Sequence, residues 1–172
     1  MNKQLMPPKG GRIETLTVSI DPKRMWEDLL RAGAPDTPAR DLEPCVIWNE
    51  ALMPPENIEA GRAEIILVNF GSQCEYSTAE AFGTRNHLAP VHPRHCLAIA
   101  EQYPRLHKKL GVKWCSVVRP RTFTHPEQRK ELIFHVLFAD DERRAQVVSM
   151  WRRVYTWEWG AFLRLPERLR LA

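Results

Sequence analysis

Val112-Lys113-Trp114-Cys115-Ser116-Val117-Val118 and Glu131-Leu132-Ile133-Phe134-His135-Val136-Leu137-Phe138 decide the fold class of this chain. Both runs are rich in β-branched and aromatic residues and short enough to be strands. The connection between them, residues 119–130, is basic and interrupted by Pro120 and Pro126. The spacing predicts a central hairpin over residues 112–138.

Working outward, Ala63 to Phe70 is almost continuously apolar, the pattern of a strand covered on both faces. Ile13, Leu16, Val18 and Ile20 are set among polar residues and predict a first strand from Arg12. Asp21-Pro22 then opens a helix in which Met25, Trp26, Leu29 and Leu30 recur at helical spacing, with Gly33 as its stop. Pro35, Pro38 and Pro44 make residues 34–44 a loop, and Cys45 to Leu52 reads as a second strand.

Ser77-Thr-Ala-Glu80 fits a capping box and predicts a short helix broken at Gly83. Pro93 opens a longer helix with Cys96, Ile99, Ala100, Tyr103, Leu106 and Leu110 on one face. Pro104 is expected to kink or split it, and Gly111 to end it. Beyond the hairpin, Asp140, Asp141 and Glu142 suit the start of a further helix with an arc of Val147, Val148, Met150, Trp151, Val154 and Tyr155. Trp159 to Leu165 reads as a short last strand. The expected fold is α+β, a mainly antiparallel sheet of about five or six strands with about three helices. Residues 12–165 are expected to form a single α+β domain, with 1–11 a flexible arm and 166–172 a tail.

A chain of 172 residues is large enough to bury a core without a metal or disulfide. No apolar run reaches the ~18 residues of a membrane span, and no signal-peptide core is present, so a cytoplasmic location is expected. The four cysteines, Cys45, Cys74, Cys96 and Cys115, form no CxxC pair and are expected to be reduced. Phosphate-loop, dinucleotide and serine-hydrolase motifs are missing, so the sequence implies no cofactor. Charge is polarised. Residues 41–102 carry three basic and nine acidic side chains, a balance of −6, whereas residues 103–172 carry fifteen and seven, a balance of +8.

This polarity points to a non-enzymatic binding module whose basic C-terminal half engages an acidic ligand. Nucleic acid is favoured over an acidic protein because cations and a ring coincide on the hairpin connection. The residues singled out are Arg119, Arg121, Phe123, Arg129 and Lys130, supported by Lys108 and Lys109.

Two other readings compete. In the first, a thiol- or metal-dependent enzyme uses Cys74 with His87, His92 and His95; a thiol near a helix start is a potential nucleophile, and histidines three apart can share a metal. The structural alternative makes His92 a helix-start residue and has His95 bonding nearby backbone. The second competing reading is an assembly subunit that exposes Trp157, Trp159 and the Leu-Arg tail. His135 is expected to be a paired, half-buried histidine within its strand.

Overall fold

A computed structural model describes residues 5–47, 58–119, 123–125, 129–149 and 153–165. In chain order the strands are β1 (Arg12–Ile20), β2 (Gly61–Asn69), β3 (Cys74–Glu75), β4 (Leu88–Pro90), β5 (Trp114–Val118), β6 (Phe123–Thr124), β7 (Glu131–Ala139), β8 (Glu142–Ser149), β9 (Arg153–Val154) and β10 (Glu158–Arg164). The helices are α1 (Trp26–Gly33), α2 (Ala39–Ile47), α3 (Tyr76–Arg85), α4 (Pro93–Gln102) and α5 (Leu106–Lys109). The fold is α+β. Among the described residues its main sheet has eight strands in the order β1-β2-β10-β5-β7-β6, with β4 also beside β10 and β8 also beside β7; β3 and β9 pair separately.

The central hairpin forms as the two apolar runs require. β5 and β7 pair antiparallel from Trp114↔Ala139 to Val118↔His135, and β6 folds back onto the start of β7. The sheet is mainly antiparallel, as expected, but not purely so: one described pairing, β10 with β5, is parallel and makes it mixed. β10 enters between β2 and β5, antiparallel to β2 and parallel to β5. The last described strand in sequence is thus central in space. Sheet order depends on which strand fills a gap, not on chain order.

Both faces are covered. On β2, Ile65 and Leu67 join the core under α1, α4 and α5, while Ile66 and Val68 face the core under α3. Burying a side chain of this size contributes about 1.5–3 kcal/mol, so an uninterrupted apolar run is stable only in a strand covered on both sides. In the first core Trp26 meets Phe134 edge-on at 5.9 Å. The indole N–H of Trp26 donates to the Cys45 carbonyl at 2.9 Å, tying α1 to α2.

Several local readings change. Residues 39–47 are helical where a loop and then a strand were expected, because Pro38 precedes the helix and its carbonyl accepts the N–H groups of Asp41 and Leu42. Residues 48–52 of that expected strand lie outside the described residues. The helix expected after Asp140 is instead β8, paired with β7 along its length from Ala139↔Glu142 to Leu132↔Ser149. Asp140 adopts φ 51°, a left-handed conformation that Asp tolerates in turns, so the acids expected to start a helix make a hairpin turn.

Ala145 faces the first core and Val148 the second. The far edge of β8 is covered by residues before α2: Asp36 exchanges hydrogen bonds with the Arg143 backbone, and Ala145 N–H donates to Thr37 Oγ1. Gly83 does not break its helix. It lies inside α3, where an added Cβ would sit 2.6 Å from Phe162 Cε1. Pro104 does split the longer helix, into α4 and α5. No described helix is long and apolar enough to cross a membrane.

Candidate functional site

Among the described residues, the basic side chains singled out in the sequence are divided between the hairpin loop and α5. At the hairpin loop, Arg119 is half-buried and its Nε donates to the Val91 carbonyl at 2.9 Å, which ties the loop stem to the segment before α4. Phe123 pairs with Leu132 through the β6 backbone, and its side chain is outside the described set; Arg121 lies outside the described residues altogether. Hydrogen bonds from His125 N–H to the Lys130 carbonyl and from Arg129 N–H to the His125 carbonyl, both 2.9 Å, close the turn into β7. Arg129 and Lys130 are exposed, and among the described residues neither side chain has an ionic partner.

Lys108 and Lys109 lie on α5, at the opposite end of the hairpin, separated from the loop by the length of β5, about 16 Å at 3.3 Å per residue. They are also engaged. Lys109 Nζ meets Glu14 at 3.0 Å, and Asp141 in the β7–β8 turn takes Arg105 at 3.3 Å and Lys108 at 4.0 Å.

Cys74, His87, His92 and His95 do not converge as a group. Cys74 precedes α3 and His87 follows it, which puts one ten-residue helix, about 15 Å, between them. Burial, with Glu158 adding to it, pushes the Cys74 thiol pKa upward, the reverse of what activates a nucleophile. His92 Nδ1 accepts the Arg94 N–H at 3.1 Å, and His95 Nδ1 accepts the His92 N–H at 3.1 Å, closing a capping box at the start of α4. Burial lowers the His95 pKa to about 4, which keeps its ring available as an acceptor. The described residues contain no group of three His, Cys, Asp or Glu side chains able to hold a metal.

The structure brings together a polar cluster that the sequence did not indicate. Ser116 on β5 and Glu158 on β10 are parallel-register partners, and His135 reaches them from β7. Ser116 Oγ lies 2.8 Å from His135 Nδ1, Glu158 Oε1 4.0 Å from the same nitrogen, and Gln146 Oε1 3.0 Å from His135 Nε2. A nucleophile relay needs the hydroxyl and the carboxylate on opposite ring nitrogens. Here both face Nδ1, and Ser116 is only 2% exposed. Burial raises the Glu158 pKa from 4.5 to about 7, opposed by a hydrogen bond from the Tyr155 N–H at 2.9 Å. Burial lowers the His135 pKa, with bonding to Gln146 opposing it.

Beside this cluster three rings are in contact at the surface. Tyr155 and Trp157 stack at 4.6 Å with 3° between planes, and Trp157 meets Trp114 at 5.7 Å. Trp114 and Trp157 are each 43% exposed. Trp159, a surface candidate in the assembly reading, is 2% exposed: it lies within β10, between β2 and β5, and faces the first core. Trp157 precedes that strand in a turn, so its ring escapes the core. Sequence reading missed Trp114 and Tyr155 because alternation does not reveal which end of a strand runs past the helices covering it.

A separate cleft of about 420 Å³ lies between the end of β1, α1 and α4. Its polar groups engage one another: Arg24 Nη1 meets Glu101 at 2.6 Å, Arg94 Nη1 donates to the Arg24 carbonyl, and Gln102 bonds both backbone groups of Ser19. These features define the class, an α+β domain with a mixed sheet covered on both faces. Comparison with family models, curated proteins and solved structures returned no match.

Proposed function

We propose that this chain is a binding domain for a polyanionic ligand, with nucleic acid as the ligand class. The observation that supports this reading is the pair Arg129 and Lys130, exposed at the turn into β7 and without ionic partners among the described residues. Lys109, Lys108 and Arg105 contrast with them, since each is drawn to a neighbouring carboxylate. Cations already engaged by acids add little to anion affinity, whereas unengaged ones exchange small counterions for phosphates on binding. The positive balance of residues 103–172 supplies a long-range field of the same sign.

The test is an anisotropy titration of the whole chain with labelled single-stranded RNA and DNA at two salt concentrations. Binding is expected to weaken with salt. The double charge reversal R129E/K130E is expected to flatten the log–log salt dependence by about 1.4, at roughly 0.7 per single-strand phosphate contact. Binding with an unchanged slope in that variant would remove the loop from the interface. No binding at low salt would remove the proposal.

A further inference from the structure

We infer that Tyr155, Trp157 and Trp114 form a stacking platform for the bases of a single-stranded nucleic acid. This rests on the reading above and adds a second contact region to it. The rings come from two separate elements, the turn before β10 and the first residue of β5, and they touch with Trp114 and Trp157 exposed and Tyr155 half-buried. Their backbone is held in place: the Trp157 carbonyl accepts the Ser116 N–H at 3.2 Å, and Asn69 Nδ2 donates to the Thr156 carbonyl at 2.7 Å and the Glu158 carbonyl at 3.2 Å. Glu158 N–H also donates to the Tyr155 carbonyl at 3.0 Å. A turn tied in this way loses little freedom when a flat ligand lands on it, so stacking is gained at small entropic cost.

Charge complementarity selects the occupant. Lys113 adjoins Trp114, and Arg153 stands two residues before Tyr155; both are exposed and without ionic partners among the described residues. Three of the nearby acids are engaged or buried: Asp141 is engaged by Arg105, Glu142 by Arg144, and Glu158 is buried. Two acids stay exposed at the ends of the ring row and set the limits of the positive surface: Asp140, in the β7–β8 turn beside Trp114's partner Ala139, and Glu75, the register partner of Arg153. Surface rings flanked by cations are what base-stacking grooves provide: the cations follow phosphates and the rings accept any base. A strand reaching from the rings to Arg129 and Lys130 along the hairpin fits the ~4–16 nucleotides typical of such sites.

The experiment compares a single-stranded oligothymidylate with an abasic oligodeoxynucleotide of the same length, titrated into the full chain by tryptophan fluorescence and by anisotropy. The base-bearing strand is expected to bind tenfold or more tighter and to quench indole emission. Trp157→Ala is expected to bring the two affinities together, and Trp157→Phe to restore most of the difference. The ring of Trp157 is exposed, and circular dichroism checks that each variant folds. Equal affinity of the wild type for both strands overturns the platform while leaving the cationic reading intact. Failure of both strands to bind overturns the two together. A wild-type dimer in sedimentation that Trp157→Ala dissolves would assign the rings to a second copy and also overturn the inference.

Discussion

Glu158→Gln probes the carboxyl beneath the aromatic turn. That carboxyl is 2% exposed, accepts the Tyr155 N–H at 2.9 Å, and lies 4.0 Å from His135. Burial moves its pKa from 4.5 to about 7, and unfolding returns it to the ordinary value. Below the lower value both states hold the proton, so the group's contribution does not change with pH. Between the two values the unfolded chain releases the proton and the folded chain keeps it. Folded protein then binds more protons than unfolded, so stability falls as pH rises and levels off above about pH 7.

At about 1.4 kcal/mol per pH unit across that interval, the loss is roughly 3 kcal/mol. The glutamine variant stays neutral and retains an oxygen for the Tyr155 N–H, so it escapes the loss. Urea unfolding of both proteins at about pH 4.5 and about pH 8 gives the difference directly, since groups distant from residue 158 cancel. The near neighbour, His135, is kept towards its neutral form by burial, so no imidazolium offsets the carboxylate at the upper pH. The variant is expected to gain roughly 3 kcal/mol on wild type between the two conditions. A difference that moves by less than about 1 kcal/mol would refute a carboxyl held neutral by burial.

Two further outcomes follow from packing and capping. Gly83→Ala places a methyl 2.6 Å from Phe162 Cε1 and 3.3 Å from the Leu88 carbonyl; the crowding of about 1–3 kcal/mol is expected to exceed the ~1 kcal/mol gained in helix propensity, and a raised urea midpoint would contradict this packing. His92→Ala removes the acceptor at the start of α4 and is expected to cost about 1 kcal/mol, whereas His92→Asn or His92→Asp, which can cap the same N–H, is expected to recover most of it. If alanine and asparagine behave alike in thermal melts, the ring at 92 does not cap.

The legible parts of the fold share one property: their pattern admits a single secondary structure. β1 alternates, β2 is apolar on both faces, Pro104 cannot continue α4, and the sequence between the two hairpin runs carries Pro120 and Pro126. The missed parts are those where a local pattern serves two structures. Val147-Val148 suits a helix stripe or a strand, and the exposed edge of β7 chose the strand by offering a full ladder. The acids at 140–142 suit a helix start or a tight turn and became the turn once that ladder formed.

For the candidate site, the sequence by itself determined the sign and location of charge along the chain and identified His92 and His95 as helix-start residues. Composition and local spacing carry that much because they require no knowledge of what lies opposite. Only the tertiary structure decided which cations are engaged, that the loop pair and the α5 pair lie at opposite ends of one hairpin, and that Trp157 is exposed while Trp159 is buried. It also brought Ser116, His135 and Glu158 together from three strands. The physical reason is the insertion of β10 between β2 and β5, a long-range pairing that no local propensity encodes.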